Sequence, residues 1–380
     1  MAQTKLSLEL SYPGKQIARD IINKTPEAKL TLKENFSDNP DELNSLFFGN
    51  NLNILKALLN NDKIKGKVKL VYIDPPFSTK RSFKSENGKG KEHAYHDNLD
   101  GFDFIESLRK RLVLVKELLS EDGSIYIHLD QKASHYIKVI MDEVFGENNF
   151  RNWITRQKCH SKNYTKNQYG NVQDHILFYS KSDNYVWNKP FEAWDDTKIK
   201  KEYSLIDEKG RRYKKVPIYA PGIRNGKTGG LWKSMMPPKG KHWQFTPEKL
   251  DELDKIGDII WSKNGNPRRK VYLDNSKGIP ISDIWLDFKD YYNQNQSVTG
   301  YPTEKNEDLL KRIILSSSNN GDLILDCFAG SGTTLAIAQK LNRKWIGIDN
   351  SKLAINTMKR RFKDIPSLVS YKIFINGRSY

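Results

Sequence analysis

The sequence predicts an α/β protein whose largely parallel sheet is interrupted by a long insertion. Segments with helical and strand periodicity alternate through the first half of the chain and again towards its end, which is the pattern of parallel strands joined by helices. The alternation stops near Tyr185 and resumes near Thr303. A chain of 380 residues can form two domains, or one large domain that carries an insertion.

The first half contains the clearest elements. Residues 45–60, SLFFGNNLNILKALLN, predict a short strand, a Gly-Asn turn and a helix. A buried strand follows over residues 68–73, and residues 104–119 place apolar side chains at helical spacing. Residues 1–44 are polar and weakly patterned, so we predict an irregular N-terminal extension there. Residues 78–100 are rich in lysine and glycine and predict a surface loop.

The charge of the chain indicates a polyanionic partner. The formal net charge is +17, and an excess of this size is typical of proteins that bind nucleic acid, although a merely soluble basic protein is the alternative. Residues 151–300 hold 28 lysines and arginines against 17 acids. Residues 209–241 contain ten basic residues, no acid, and interleaved aromatic rings. This combination favours contact with phosphates over a plain solvated face.

Cysteine usage and hydropathy exclude several classes of protein. Only Cys159 and Cys327 occur, which argues against a disulfide framework and against a zinc site, and we predict no metal. The N-terminus lacks an apolar core of signal-peptide length, and no run of about 18 apolar residues occurs anywhere. We therefore expect a soluble protein of the cytoplasm with no membrane partner.

A buried strand ends in an unusual turn. The stretch VKLVYI is followed by Asp74-Pro75-Pro76-Phe77, and then by basic residues that include Lys80. Read alone, this is either a rigid strand-ending turn with a satisfied acid, or a site that joins a carboxylate, a fixed carbonyl and an aromatic ring.

A second turn predicts a ligand site. The stretch LILDCFAGSGTT contains a strand, a tight glycine turn and the start of a helix, and Gly330 and Gly332 allow the backbone to approach a ligand. Asp349 ends the next strand, where a carboxylate accepts hydrogen bonds from ribose hydroxyls in doubly wound sheets. Because Gly-x-Gly-x-x-Gly is absent, a nucleoside without a pyrophosphate fits better than a dinucleotide. A plain αβ turn that uses glycine for packing is the alternative.

Together the two turns resemble the motifs of S-adenosylmethionine-dependent DNA amino-methyltransferases. In that family Asp/Asn/Ser-Pro-Pro-aromatic is catalytic and Phe-x-Gly-x-Gly binds the cofactor. Here the catalytic motif precedes the basic region and the cofactor motif follows it, an order that resembles the circularly permuted beta group, which includes type III modification subunits. The resemblance implies a Rossmann-like class I methyltransferase sheet, circularly permuted, with an inserted target-recognition region. It implies a catalytic half at 45–184, a target-recognition region at 185–299 and a cofactor-binding half at 300–380.

Two further segments resemble family elements but depart from them. TGYPTEKNEDLLKRII is similar to the segment before the cofactor strand, although Asn306 stands where proline is usual. FFGNNLNIL is similar to the element before the catalytic strand, with Asn50 in place of aspartate. The cofactor contacts that the resemblance implies are Asp326, Phe328, Ala329, Gly330, Ser331, Gly332, Thr333, Asp349, Thr303, Lys305 and Asn50.

The proposed chemistry explains the residue types of the catalytic motif. An exocyclic amine of adenine or cytosine is a poor nucleophile because its lone pair is delocalised into the ring. Asp74 and the carbonyl of Pro75 could accept both N–H bonds and localise that pair, while Phe77 stacks on a base flipped out of the duplex. The arginines and lysines that we predict to contact DNA are Lys80, Arg81, Arg211, Arg212, Lys214, Lys215, Arg224, Arg268 and Arg269.

The sequence therefore predicts a bacterial or archaeal DNA methyltransferase that modifies the N6 amine of adenine in double-stranded DNA, as part of a restriction-modification system. Three alternatives stay open: methylation of cytosine N4, methylation of RNA, and a DNA-binding specificity subunit with weak catalysis. The resemblance suggests a homodimer, and the sequence leaves open whether a cognate restriction endonuclease exists.

Overall fold

The computed structural model describes most of the chain. Its described residues are 8–76, 101–160, 167–290, 299, 301, 304–366 and 369–377, together with the backbone of two short strands at 82–85 and 92–96.

The described part of the chain contains both helices and strands. The helices are α1 (Ala18–Lys24), α2 (Asn51–Leu58), α3 (Gly101–Leu118), α4 (Ser134–Phe145), α5 (Asp196–Glu202), α6 (Pro247–Lys255), α7 (Glu307–Ser317), α8 (Thr333–Lys340) and α9 (Lys352–Lys363). The strands are β1 (Leu30–Asn35), β2 (Ser45–Phe48), β3 (Val68–Ile73), β4 (Ser82–Ser85), β5 (Glu92–His96), β6 (Leu119–Leu129), β7 (Phe150–Gln157), β8 (Gln173–Ser180), β9 (Phe191–Glu192), β10 (Leu205–Ile206), β11 (Arg212–Pro217), β12 (Tyr219–Pro221), β13 (Lys241–Trp243), β14 (Ile259–Trp261), β15 (Pro267–Tyr272), β16 (Ile279–Pro280), β17 (Ile284–Trp285), β18 (Leu323–Asp326), β19 (Lys344–Asp349) and β20 (Lys372–Asn376).

One large mixed sheet organises the protein. Its strand order is β1-β20-β2-β19-β18-β3-β6-β8-β7-β17. The strands from β20 to β6 run parallel, whereas β8 runs antiparallel to both of its neighbours. The central strands β3 and β18 are buried over most of their length, as expected for parallel strands covered on both faces. The predicted Rossmann-like α/β fold is confirmed.

The order of the chain through the sheet creates a crevice. From β18 the chain passes through α8 to β19 on one side, and from β3 it passes through α3 to β6 on the other side. The strands β3 and β18 are parallel neighbours, and the chain leaves them towards opposite edges of the sheet. The strand order therefore reverses between them. Open α/β sheets bind ligands outside the carboxyl ends of their strands at such a switch point.

The chain divides into two compact units. The main unit comprises Met1–Pro190 and Ser282–Tyr380, and the small unit comprises Phe191–Ile281. The small unit has a four-stranded antiparallel sheet of order β10-β11-β15-β14. It also has its own apolar core, formed by Ile218, Trp232, Trp243, Leu250 and Ile259.

Two local predictions were wrong. The N-terminal segment is not irregular, because it contains α1 and the edge strand β1, which pairs antiparallel with β20. Most β1 residues are half-buried or exposed, so the strand leaves little apolar pattern in the sequence. Residues 78–100 include the paired strands β4 and β5 rather than a loop throughout. Segments of four and five residues are too short for periodicity to reveal.

Candidate active site

Three carboxylates lie at the carboxyl ends of neighbouring strands. Asp74 directly follows β3, Asp326 ends β18, and Asp349 ends β19. Since these strands are adjacent and parallel, the three side chains share one edge of the sheet beside the switch point. The sequence predicted both turns, and the fold brings them together.

Among the described residues, one carboxylate oxygen of Asp74 is paired and the other has no partner. Its Oδ2 lies 2.6 Å from Nζ of Lys305, and both side chains are largely shielded, at 21% and 15% exposed. Its Oδ1 is buried and has no hydrogen-bond partner among the described residues. A buried acceptor without a donor costs about 1–3 kcal/mol, so an incoming N–H group would be favoured there. Pro75 is buried and Pro76 is half-buried.

Four predicted site residues lie outside the described residues. They are Phe77, Lys80, Arg81 and Thr303. Their predicted stacking, DNA contacts and cofactor contact stay predictions.

The glycine turn requires glycine at two positions. Gly330 and Gly332 have φ angles of +50° and +76°, in the left-handed region that favours glycine. A Cβ atom on Gly332 would lie 2.5 Å from Cγ of Met358 on α9, so this turn also packs closely against a helix. Gly330 donates its N–H to Oδ2 of Asp349 at 2.8 Å. The two parts of the predicted nucleoside site are therefore in direct contact.

Asp326 organises the start of this turn. Its Oδ1 accepts the N–H of Phe328 at 3.0 Å, and its Oδ2 accepts the hydroxyl of Thr334 at 2.6 Å. Burial, together with the charges of Asp74 and Asp349, raises the pKa of Asp326 to about 7, although these two hydrogen bonds lower it. Both of its oxygens serve the turn, which identifies Asp326 as a residue that shapes the site.

Asp349 is held in place by the backbone. Its Oδ1 accepts the N–H of Ser351 and its Oδ2 that of Gly330, each at 2.8 Å. Burial raises the pKa of Asp349 despite these bonds. A carboxylate has about four lone-pair sites, so acceptor capacity remains for a ribose hydroxyl.

Asn50 lies close to this strand end. Gly49 donates its N–H to the carbonyl of Asp349 at 3.0 Å, and Asn50 follows as the N-cap of α2. Oδ1 of Asn50 accepts the N–H of Leu52 at 2.9 Å. Its exposed side chain therefore caps a helix in this structure, and its cofactor contact stays a prediction.

The remaining turn residues are held by contacts within the main unit. The ring of the half-buried Phe328 lies 5.9 Å from the guanidinium of Arg111. Ala329 donates its N–H to the carbonyl of Ile348 at 3.1 Å. The hydroxyls of Ser331 and Thr333 lie 3.0 Å apart. These contacts fix the turn between two strands and α8.

A buried ion pair that the sequence did not reveal supports the glycine turn. Arg361 of α9 pairs with Glu304 at 2.5 Å and with Glu307 at 2.7 Å. Its Nη1 also lies 3.5 Å from the carbonyl of Ser331. This arginine therefore joins the turn to the segment that carries Lys305. Its position in an amphipathic helix with other basic residues gave no signal of this role.

A second buried network lies behind the catalytic motif. The hydroxyl of Tyr72 lies 2.9 Å from Nδ1 of His128, whose Nε2 lies 3.3 Å from Oδ2 of Asp174. Asp174 also pairs with Lys158 at 2.8 Å and faces Arg156 at 3.6 Å. Burial raises the pKa of Asp174, but His128 and Lys158 outweigh it and hold that pKa well below its ordinary value. This network ties β3, β6, β8 and β7 together.

The cofactor assignment gives a direct prediction for Asp349. Asp349→Ala is expected to raise the Kd of S-adenosylmethionine about tenfold to a hundredfold, because hydrogen bonds to a charged group contribute about 1.5–3 kcal/mol. Isothermal titration calorimetry measures the change. Asn350→Ala, at the exposed neighbouring position, is the matched control. An unchanged Kd in Asp349→Ala would contradict the ribose contact.

The small unit distributes its predicted DNA contacts over two faces of its sheet. Residues opposite each other on β11 and β15 share a face, and neighbours along a strand alternate. One face carries Tyr213, Lys215, Arg268, Lys270 and Tyr272. Arg211 extends this face, because its guanidinium lies 4.0 Å from the ring of Tyr272. Arg211 also pairs with Asp207 at 2.8 Å. Lys270 was not predicted.

The opposite face is occupied by contacts within the small unit. Arg212 donates to the carbonyl of Tyr203 at 3.4 Å, Lys214 pairs with Glu202 at 3.4 Å, and Arg269 lies 5.0 Å from the ring of Phe245. Phe245 packs on the apolar core of this unit. Arg224 is exposed. DNA contacts by these residues stay predictions.

Within the described ranges, no group of three or more histidine, cysteine, aspartate or glutamate side chains could hold a metal ion. Among the helices that the structure describes, none is both long enough and apolar enough to cross a membrane.

Comparisons with known proteins show the family of the chain. The N6/N4 methyltransferase family, described as DNA methylase, matches residues 68–360. The chain is 48% identical to the type II methyltransferase M.EcaI of Enterobacter cloacae, over 93% of this chain and 77% of that protein. It is 27% identical to the probable type III restriction-modification enzyme HindVI Mod subunit of Haemophilus influenzae, over 85% of this chain and 51% of that subunit. The chain thus spans about half the length of that type III relative.

A solved structure was also matched. It is the crystal structure of an M1.HpyAVI–SAM complex, with a TM-score of 0.44 and 17% identity, covering 84% of this chain and 98% of the other.

Proposed function

The chain belongs to the N6/N4 DNA methylase family, and within that family we propose that it methylates the N6 amine of adenine in duplex DNA. It is a DNA methyltransferase of the restriction-modification type, and S-adenosylmethionine is its methyl donor. The observation that carries the proposal is the buried Oδ1 of Asp74 at the switch point of the sheet, which has no hydrogen-bond partner within the described part of the chain.

The site residues fit a nucleoside-containing donor. The glycine turn presents backbone without side chains, and the carboxylate of Asp349 retains acceptor capacity towards a ribose. S-adenosylmethionine supplies the methyl group when it is bound there. Asp326 and Arg361 hold the turn that would orient it.

The catalytic turn prepares the target amine. Oδ1 of Asp74 accepts one N–H of the amine, and the carbonyl of Pro75, fixed by the following proline, accepts the other. Two acceptors placed in this way draw the nitrogen towards a tetrahedral geometry and localise its lone pair. Phe77 would replace the lost stacking of the flipped base. The chemistry then depends mainly on alignment of the amine with the methyl group.

The choice of adenine over cytosine rests on the resemblance of the motif. Asp-Pro-Pro is more typical of adenine N6 enzymes and Ser-Pro-Pro of cytosine N4 enzymes, while the matched family includes both activities. A direct identification of the methylated base is therefore the test that separates them.

The small unit supplies the proposed contacts to DNA. Its sheet face with Lys215, Arg268 and Lys270 presents cations beside two tyrosines. Such a surface suits a phosphate backbone, with aromatic rings available for stacking. We assign sequence recognition to residues 185–299, which include this unit.

The cellular setting completes the proposal. The names of the relatives support a restriction-modification role, and we propose that the protein acts in the bacterial cytoplasm. A cognate restriction endonuclease and a homodimer are the partners that we propose with it. Light scattering of the purified chain would measure the oligomeric state.

The experiment that tests the function uses purified protein, tritiated S-adenosylmethionine and unmethylated plasmid DNA. Nucleosides from the product are separated by chromatography, and label in N6-methyladenine is expected. Label in N4-methylcytosine would keep the mechanism and overturn the target. Preferential labelling of RNA would overturn the substrate. Absence of label despite tight binding of DNA and donor would indicate a specificity subunit.

A further inference from the structure

Lys305 is placed at the catalytic motif rather than at the glycine turn. Its Nζ lies 2.6 Å from Oδ2 of Asp74. Family resemblance implied a cofactor contact for this lysine, but the contact described here is to the catalytic carboxylate. Burial lowers the pKa of Lys305, but the charges of Asp74 and Asp290 outweigh it and keep the group protonated.

The residues on both sides of Lys305 are anchored. Glu304 is buried and pairs with Arg361 at 2.5 Å. Asn306 caps α7 by accepting the N–H of Asp308 at 2.8 Å. With its backbone fixed at both neighbours, the lysine side chain has little freedom to leave the carboxylate. The departure from the family proline at Asn306 is thus compatible with a firmly held segment.

The pairing is selective for one oxygen of Asp74. Lys305 occupies Oδ2, whereas Oδ1 stays buried and unpartnered among the described residues. The terminal torsion of a carboxylate is broad, so the group could rotate and move both oxygens away from these positions. A charge-assisted hydrogen bond at 2.6 Å to one oxygen opposes this rotation.

We propose that Lys305 is a positioning residue that fixes the orientation of the Asp74 carboxylate and presents Oδ1 to the target amine. This inference rests on the proposed function, because it assigns the amine to Asp74. It predicts that Lys305 affects the methyl-transfer step through Asp74 and leaves binding of the methyl donor unchanged.

The test compares Lys305→Met, Lys305→Arg and Lys311→Met. Lys311 is an exposed lysine of α7 and serves as the matched control for loss of one positive charge. Lys305→Met is expected to lower kcat about tenfold to a hundredfold, the usual effect of removing a group that orients a site residue. KM for S-adenosylmethionine stays unchanged, Lys305→Arg recovers most of kcat, and Lys311→Met retains it.

A double-mutant cycle with Asp74→Ala separates positioning from other roles. In the Asp74→Ala background, Lys305→Met is expected to have no further effect on kcat, because its partner is absent. Additive effects of the two changes would overturn the inference, as would a raised Kd of the donor with unchanged kcat in Lys305→Met. If Lys305→Met melts at a much lower temperature than the wild type, Lys305→Arg is the test instead. Recovery of most of kcat in Lys305→Arg supports the inference, and loss of kcat in that variant overturns it. Absence of any methylated base with the wild-type enzyme would instead refute the proposed function.

Discussion

Replacing Asp74 with alanine is expected to lower kcat for methyl transfer by about 10²- to 10³-fold, the usual effect of removing one preorganised group from a transition-state site. The change removes the buried Oδ1 that we propose to accept an N–H of the target amine and that is unpartnered among the residues the structure describes. The Kd of S-adenosylmethionine is expected to stay close to the wild-type value, because Asp74 directly follows β3 whereas the donor turn follows β18.

Single-turnover kinetics with tritiated donor measure this effect without interference from product release. Asp130→Ala is the matched control, since Asp130 also follows a strand at the same edge of the sheet and its carboxylate caps the following turn. The control is expected to retain its single-turnover rate. A rate for Asp74→Ala within a few-fold of the wild type would remove Asp74 from the catalytic role.

The two central turns could be predicted because each is written in a short piece of sequence. A buried strand that ends in Asp74-Pro75-Pro76 and a glycine turn before Thr333 depend on local backbone requirements. The helices and central strands were predictable for the same reason, since their apolar periodicity is strong. Edge strand β1 was not, because few of its residues are buried.

The pairing of Lys305 with Asp74 could not be predicted from local pattern. The two residues are about 230 positions apart, and their contact depends on the adjacency of β3 and β18 and on the anchoring of the segment before α7. Arg156 illustrates the same limit, because a lone arginine in a strand reads as exposed, yet its side chain is fully buried.

The basic region shows a different gap between sequence and structure. Composition predicted a phosphate-binding surface, but only strand pairing reveals which cations share a face. Lys270 joins Lys215 and Arg268, whereas Arg269 faces the apolar core of the small unit. The sequence does not reveal which side chains of β11 and β15 share a face, because basic residues occur on both faces of these short strands.

Asp174→Asn is expected to reduce the free energy of unfolding by about 3–5 kcal/mol, because it removes the buried negative charge that Lys158 and Arg156 share. Asp174 is 6% exposed and is shared by Lys158, His128 and the fully buried Arg156. Arg156 also donates to the carbonyl of Phe288 at 2.6 Å and pairs with the half-exposed Asp290, so these two partners remain after the change.

The matched control is the exposed ion pair of the same type. Asp183 is 87% exposed and lies 2.9 Å from Arg151, so Asp183→Asn is expected to cost about 0.2–1 kcal/mol at most. Urea denaturation at pH 7, followed by tryptophan fluorescence, measures both variants. Equal losses of unfolding free energy in the two variants would contradict the expectation that burial makes the Asp174 pair more stabilising than the exposed pair.

The pH dependence of this difference follows from the lowered pKa of Asp174. A carboxyl group with a folded-state pKa below its unfolded value contributes stability that is fully present above the unfolded pKa, near 3.8, and that is lost as pH falls towards the folded pKa. The gap in unfolding free energy between wild type and Asp174→Asn is therefore expected to be constant from pH 7 to about pH 5 and to shrink below about pH 4. A gap that grows on acidification would contradict the assignment of a charged Asp174 to the buried network, and with it the account of how β3 is held behind the catalytic turn.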